Sequence, residues 1–167
     1  MIFSSLREFF YKLYNIYLMM MLVPMVFFVV IYYFLLTSTI HPLIADEGAV
    51  FVLLVTFPSL AIAGLTIVHW LAAKKFSVLA RQPSLGVRLE EYYSIASMRL
   101  KSCVYASLLM GAGLFFTNHE YFGIYFGVII LWSIVFVWPS PGRVCIDLKL
   151  KRDEEKMVMT KGEAFKN

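Results

Sequence analysis

Three histidines, two cysteines and eleven carboxylates are the side chains of this chain that could hold a metal or carry acid–base and nucleophilic chemistry. Their spacing works against each use. Neutral imidazole is the commonest metal ligand, but His41 and His119 fall in short polar connections while His69 lies a full apolar run away. Two imidazoles cannot grip an intramembrane haem unless they sit at matching depth on facing helices. A metal site from His41, Asp46, Glu47, His119 and Glu120 would rest on two flexible connections, so no metal and no cofactor is expected. Cys103 and Cys145 are not in C-x-x-C spacing and have no metal-ligand neighbours, so both read as free thiols. Nucleophilic or acid–base catalysis needs a clustered set of nucleophile, base and orienting group. Glu90 and Glu91 beside Arg88, and Asp147 near Arg143, read instead as solvated surface charges. With no Gly-rich phosphate loop either, the chain is not expected to be an enzyme.

The elements that must position these residues are dominated by hydrophobicity. Of 167 residues 60% are hydrophobic and the mean hydropathy is +0.76, well beyond the roughly 45–50% apolar usage of soluble domains. The 15 Lys and Arg residues fall in three clusters: Arg7 and Lys12, then Lys74 to Lys101, then Arg143 to Lys166. The connections 37–49 and 117–120 carry only Asp46, Glu47 and Glu120. That alternation is the positive-inside pattern. It predicts an all-α polytopic membrane protein of four transmembrane helices with both termini cytoplasmic. Four spans of about 20 residues leave no room for a separate catalytic domain.

In detail, a cytoplasmic N-terminus (1–13), of which residues 1–12 read as the start of the first helix at the inner interface or as a frayed end, leads into span 1 (14–36), too long for a signal-peptide h-region of roughly 7–15 residues. Tyrosines mark both ends of this span and Pro24 lies inside it. An outer loop (37–49) follows, in which Asp46 is a natural N-cap and Asp46-Glu47 suits the positive end of a helix dipole. Span 2 covers 50–72 and contains Pro58. The cytoplasmic loop 73–98 holds the break Gln82-Pro83-Ser84 and then an amphipathic helix that runs without a clear stop into span 3. Its apolar positions Leu85, Leu89, Tyr92 or Tyr93, Ala96 and Leu100 are set against Arg88, Glu91 and Arg99. Span 3 (99–117) gains its length only if Arg99 and Lys101 snorkel to the interface. A tight outer turn, 118–120, makes spans 3 and 4 (121–138) antiparallel neighbours, and Trp138-Pro139 ends span 4. In the basic tail (139–167), residues 147–156 suit a short helix and the end reads as disordered.

Small residues mark where helix backbones can approach closely. Ser107 and Gly111, within the run Ala106 to Gly113, give span 3 a packing face. Gly123-x-x-x-Gly127 gives span 4 another, expected to lie against span 3 or, alternatively, at a subunit interface. On the cytoplasmic side the tail segment 143–150 is expected to dock on the middle helix. Val144, Ile146 or Leu148 would cover Leu89 or Tyr92, and Arg143 would approach a glutamate.

The segments Leu-Glu-Glu-Tyr-Tyr-Ser-Ile-Ala-Ser-Met-Arg (89–99) and Trp-Pro-Ser-Pro-Gly-Arg-Val-Cys-Ile-Asp-Leu-Lys-Leu (138–150) resemble an uncharacterised family of four-span membrane proteins from Bacteroidetes-type bacteria. Its members place a charged helix with a Tyr and an Arg before a short third span. They close span 4 in a Pro-[Ser/Thr]-x-x-[Arg/Lys] turn before an Asp-Leu-x-Leu helix. The resemblance covers residues 80–155 and implies a multi-pass protein of a bacterial inner membrane. The expected function is a non-enzymatic component that interacts with lipid, with another membrane protein or with itself. A small transporter or channel acting as an oligomer is the alternative, disfavoured because no Asp, Glu, Lys or Arg lies inside an apolar core. Nucleic acid is not an expected partner, since the +4 charge is explained by topology and by attraction to anionic headgroups.

Overall fold

Helix boundaries in this chain are written in its hydroxyl, carboxylate and amide side chains. Ser5 opens the first helix by accepting the Glu8 backbone N–H at 3.1 Å, half of a Ser-x-x-Glu box. Asp46 does the same for the second helix through Ala49 N–H at 2.8 Å. Asn118 closes the third in the left-handed conformation (φ 50°), which asparagine tolerates, with its N–H on the Leu114 carbonyl. The resulting order is α1 (Leu6–Leu36), α2 (Glu47–Leu79), α3 (Leu85–Thr117), α4 (Tyr121–Phe136), α5 (Pro141–Leu148) and α6 (Arg152–Glu163). The structure, a computed structural model, describes residues 3, 5–37 and 41–163. The end of the tail, 164–167, lies outside the described residues. Among those described there is no strand.

Helices α1, α2 and α3 are long and apolar enough to cross a membrane, and α4 with α5 makes a fourth candidate if that bent pair counts as one span. The chain is thus all-helical with the character of a multi-pass membrane protein. At 1.5 Å per residue α1–α3 measure about 46–50 Å, well over a hydrocarbon core of about 30 Å, whereas the 16 residues of α4 measure about 24 Å. The surplus length of the three long helices gathers at one end, where α1 begins, α2 finishes and α3 starts. There α4 stops short, the chain bends by 75°, and α5 and α6 lie across the end.

This geometry alters several expected boundaries. Helix α1 starts at Leu6, and its first turns are core, since Phe9, Phe10 and Leu13 are buried. Helix α2 runs on to Leu79. Residues 85–98, expected as an amphipathic helix running without a clear stop into span 3, are the first turns of the single helix α3. The expected tail helix over 147–156 is instead broken. Ser140 caps α5, with Pro141 in its first turn, and Lys149 ends it in the left-handed conformation before α6 begins at Arg152.

Helix α3 is the hub, packed along its length by α1, α2 and α4. Two apolar clusters result. At the charged end Phe9, Phe76, Leu89, Tyr92, Val144 and Leu148 meet, with Val158 of α6 above them. Toward the α3–α4 hairpin Ile31, Ala61, Met110, Leu114, Phe122 and Phe126 form the second. Between the two, Tyr17 and Ser133 hydroxyls share a buried 3.0 Å hydrogen bond that ties α1 to α4.

Candidate functional site

The end of α4 leaves carbonyls without helical partners, and the negative end of its dipole attracts a cation. Arg99 of α3 supplies both answers. Its Nη2 donates to the Phe136 carbonyl at 2.8 Å, and Nη1 donates to Asp147 Oδ2 of α5 at 3.4 Å. Asp147 also accepts from the Tyr92 hydroxyl at 3.3 Å and faces Arg143 Nε at 3.6 Å. Arg99 is only 7% exposed, so this is a buried charge cluster joining three helices. Burial pushes the Asp147 carboxyl above the ordinary carboxylate range, and the two arginines only partly offset that rise. A second buried guanidinium, Arg88, donates to Glu154 of α6. That hydrogen bond holds the Glu154 carboxyl below its ordinary range.

Beside the Arg99 cluster lies a cleft of about 410 Å³ between α2, α4 and α5. Its polar groups include His69, Ser77, Arg99, Arg143, Asp147 and Lys149, and its aromatic wall is Phe76, Trp132 and Phe136. His69 Nδ1 lies 2.8 Å from the Leu65 carbonyl, and the ring meets Trp132 edge-on at 6.2 Å. The buried Nε2 of His69 and the buried Nε atoms of Arg99 and Arg143 have no hydrogen-bond partner.

The site residues expected from sequence distribute as follows. Leu89, Tyr92, Val144 and Leu148 share one buried cluster. Ile146, offered as a covering residue, points away and is exposed. Arg143 pairs within its own helix with Asp147; one turn of α5 sets that i, i+4 spacing. Arg88 and Arg99, expected on a solvated face, are buried because α5 and α6 cover them. Ser107 is buried and turns its hydroxyl back to the Cys103 carbonyl. Gly111 admits the Phe27 ring of α1, which would lie 2.8 Å from a Cβ there. Gly123 faces Phe28 of α1, not α3, and Gly127 has nothing within 4 Å. A close α3–α4 approach is made at Gly113 instead, where a Cβ would run into the Phe122 ring. The missed signal was periodic: Arg88, Tyr92, Ile95 and Arg99 recur at i, i+4, i+7 and i+11, one helical stripe.

Among the described residues no three His, Cys, Asp or Glu side chains gather to hold a metal ion. No family model, curated protein or solved structure matches the chain.

Proposed function

We propose that the chain is a four-span membrane protein with both termini cytoplasmic, acting without catalysis by engaging anionic lipid at its inner face. In this reading the charged end is the cytoplasmic end, α4 is a short fourth span, and α5 and α6 lie over the inner headgroup layer. A bacterial inner membrane is the proposed setting, in keeping with the resemblance of residues 80–155. The observation that carries the reading is the coincidence of the described members of all three basic clusters with one end of the bundle, where the buried arginines and the cleft also lie. Among the described residues the opposite end holds Asp46, Glu47 and Glu120 and no Lys or Arg.

Thiol labelling tests the orientation. The native cysteines report poorly because both are buried, so the labels belong at exposed Ser84 and Asn118 in a background with Cys103 and Cys145 changed to alanine. With an impermeant maleimide and an opened outer barrier, Asn118→Cys labels in whole cells and Ser84→Cys labels only after lysis. Labelling of Ser84→Cys in whole cells reverses the orientation and removes the inner-face reading. Pull-down from mild-detergent extracts checks the choice of lipid over protein: a stable stoichiometric protein partner replaces the lipid reading.

A further inference from the structure

The cleft between α2, α4 and α5 combines three properties that belong together in one kind of site. First, its charge is unbalanced: Arg99, Arg143 and Lys149 face a single carboxylate, Asp147. Second, Arg99 and Arg143 each keep a buried Nε–H without a hydrogen bond, that of Arg143 facing Asp147 only as an ion pair at 3.6 Å, and an unmade hydrogen bond at a buried donor is costly. Third, its wall is aromatic and open on one side, since Trp132 and Phe136 are exposed and Ile146, at 70% exposure, flanks them. Cationic donors at the bottom and apolar rings at the side match a molecule with an anionic head and a hydrocarbon body. The volume of about 410 Å³ is ample for a phosphodiester with its glycerol.

We infer that this cleft binds a phosphate-bearing anion, held as the headgroup of an anionic lipid, with Arg143 and Lys149 contacting the phosphate and Trp132 and Phe136 flanking the first acyl carbons. The inference rests on the inner-face reading above, because only there do α4 and α5 place the cleft at headgroup depth. Basic pockets between transmembrane helices on the cytoplasmic side recognise headgroups by this same chemistry. Arg99 keeps its Nη bonds to Asp147 and Phe136 and offers the anion its remaining Nε–H. Lys149 is free to swing because it is exposed beyond the last turn of α5.

Native mass spectrometry of the full chain in an uncharged detergent reads this directly. The probes are phosphatidylglycerol, phosphatidylcholine and inorganic phosphate. One phosphatidylglycerol is expected to stay bound, at least about tenfold more tightly than phosphatidylcholine, and R143Q/K149Q is expected to lose about tenfold. The variant K75Q/R81Q removes the same charge from the same end outside the cleft and is expected to bind as the native chain does. Arg99 is left unchanged, so its bonds to Asp147 and Phe136 stay in place, and an unaltered charge-state envelope checks folding. Equal retention by R143Q/K149Q and the native chain overturns the site, as does equal retention of the two lipids. Binding of inorganic phosphate that displaces phosphatidylglycerol and is lost in R143Q/K149Q assigns the cleft to the free ion and overturns the lipid source. Loss of the site with intact Asn118→Cys and Ser84→Cys labelling defeats this inference alone, whereas reversed labelling defeats the membrane reading beneath it.

Discussion

The two ends of this bundle are stabilised by different rules. In its most apolar stretch α2 has 6% of its residues buried within the protein and α1 has 17%. There leucines, valines and phenylalanines face outward, an arrangement that water would penalise and hydrocarbon does not. What holds the helices is close approach: Gly113 under Phe122, Phe28 stacked on Phe126 at 4.1 Å, and the Tyr17–Ser133 hydrogen bond. At the charged end the ordinary rule of water-soluble cores returns. Phe9, Phe10, Leu79, Val144, Leu148 and Val158 are essentially inaccessible, and five helices contribute to covering them. Two arginines sit in that core and each finds a carboxylate on a tail helix. The contrast teaches that the tail is structural: α5 and α6 make the surplus turns of α1–α3 into an interior.

The comparison breaks first at Arg99. Both Arg99 and Asp147 are largely buried, and removing one partner of such a pair leaves an uncompensated charge. Asp147→Leu should therefore cost about 3–5 kcal/mol, while the double variant R99L/D147L should recover much of that loss. Chemical denaturation in detergent micelles measures both. A next, smaller effect lies in the hairpin half. Gly113→Ala forces the Phe122 ring to move and should cost about 1–3 kcal/mol, whereas Gly127→Ala meets open space and should stay within about 0.5 kcal/mol. Equal costs would mean that the α3–α4 approach is not set by Gly113.

The smallest effect is a pH dependence confined to α6. Glu154 has a lowered folded value, so its contribution is present above its unfolded value of about 4.3 and is lost as pH falls through the folded one. Asp147 has a raised value, so its contribution is fully present below the unfolded value and is lost as pH rises through the folded one. Acidification should consequently loosen α6 from Arg88 and leave α5 in place. Electron-spin distances from Val87 to Lys156 should broaden on acidification, and those from Val87 to Ile146 should not.

Much of this architecture was legible in the sequence because hydropathy and capping are local. The Asp46 cap, the Asn118 turn and the stop after Phe136 each follow from a few adjacent residues. The buried cluster was not legible, because an arginine looks solvated until its cover is known. The cover comes from residues 48 and 66 positions further along the chain, Asp147 and Glu154. The apolar residues Val144 and Leu148 were legible as a cover for Leu89 and Tyr92, and they share one buried cluster with them, whereas Val158 of α6 in the same cluster was not anticipated. The Gly123-x-x-x-Gly127 spacing misdirected attention for a related reason. Such spacing marks a face that permits close approach, and only the neighbouring helix decides whether the approach occurs.

Truncation after Pro141 tests most directly whether the tail completes the charged end. Hydrogen exchange of the full chain and the truncated chain would be compared in lipid nanodiscs. Loss of α5 and α6 uncovers Leu89, Tyr92, Arg88 and Arg99 together, so amides of residues 85–97 should exchange markedly faster. Those of 104–117, packed in the hairpin half, should keep their protection. Unchanged exchange over 85–97 would contradict the account, because α3 would then hold its first turns without the cover that α5 and α6 provide.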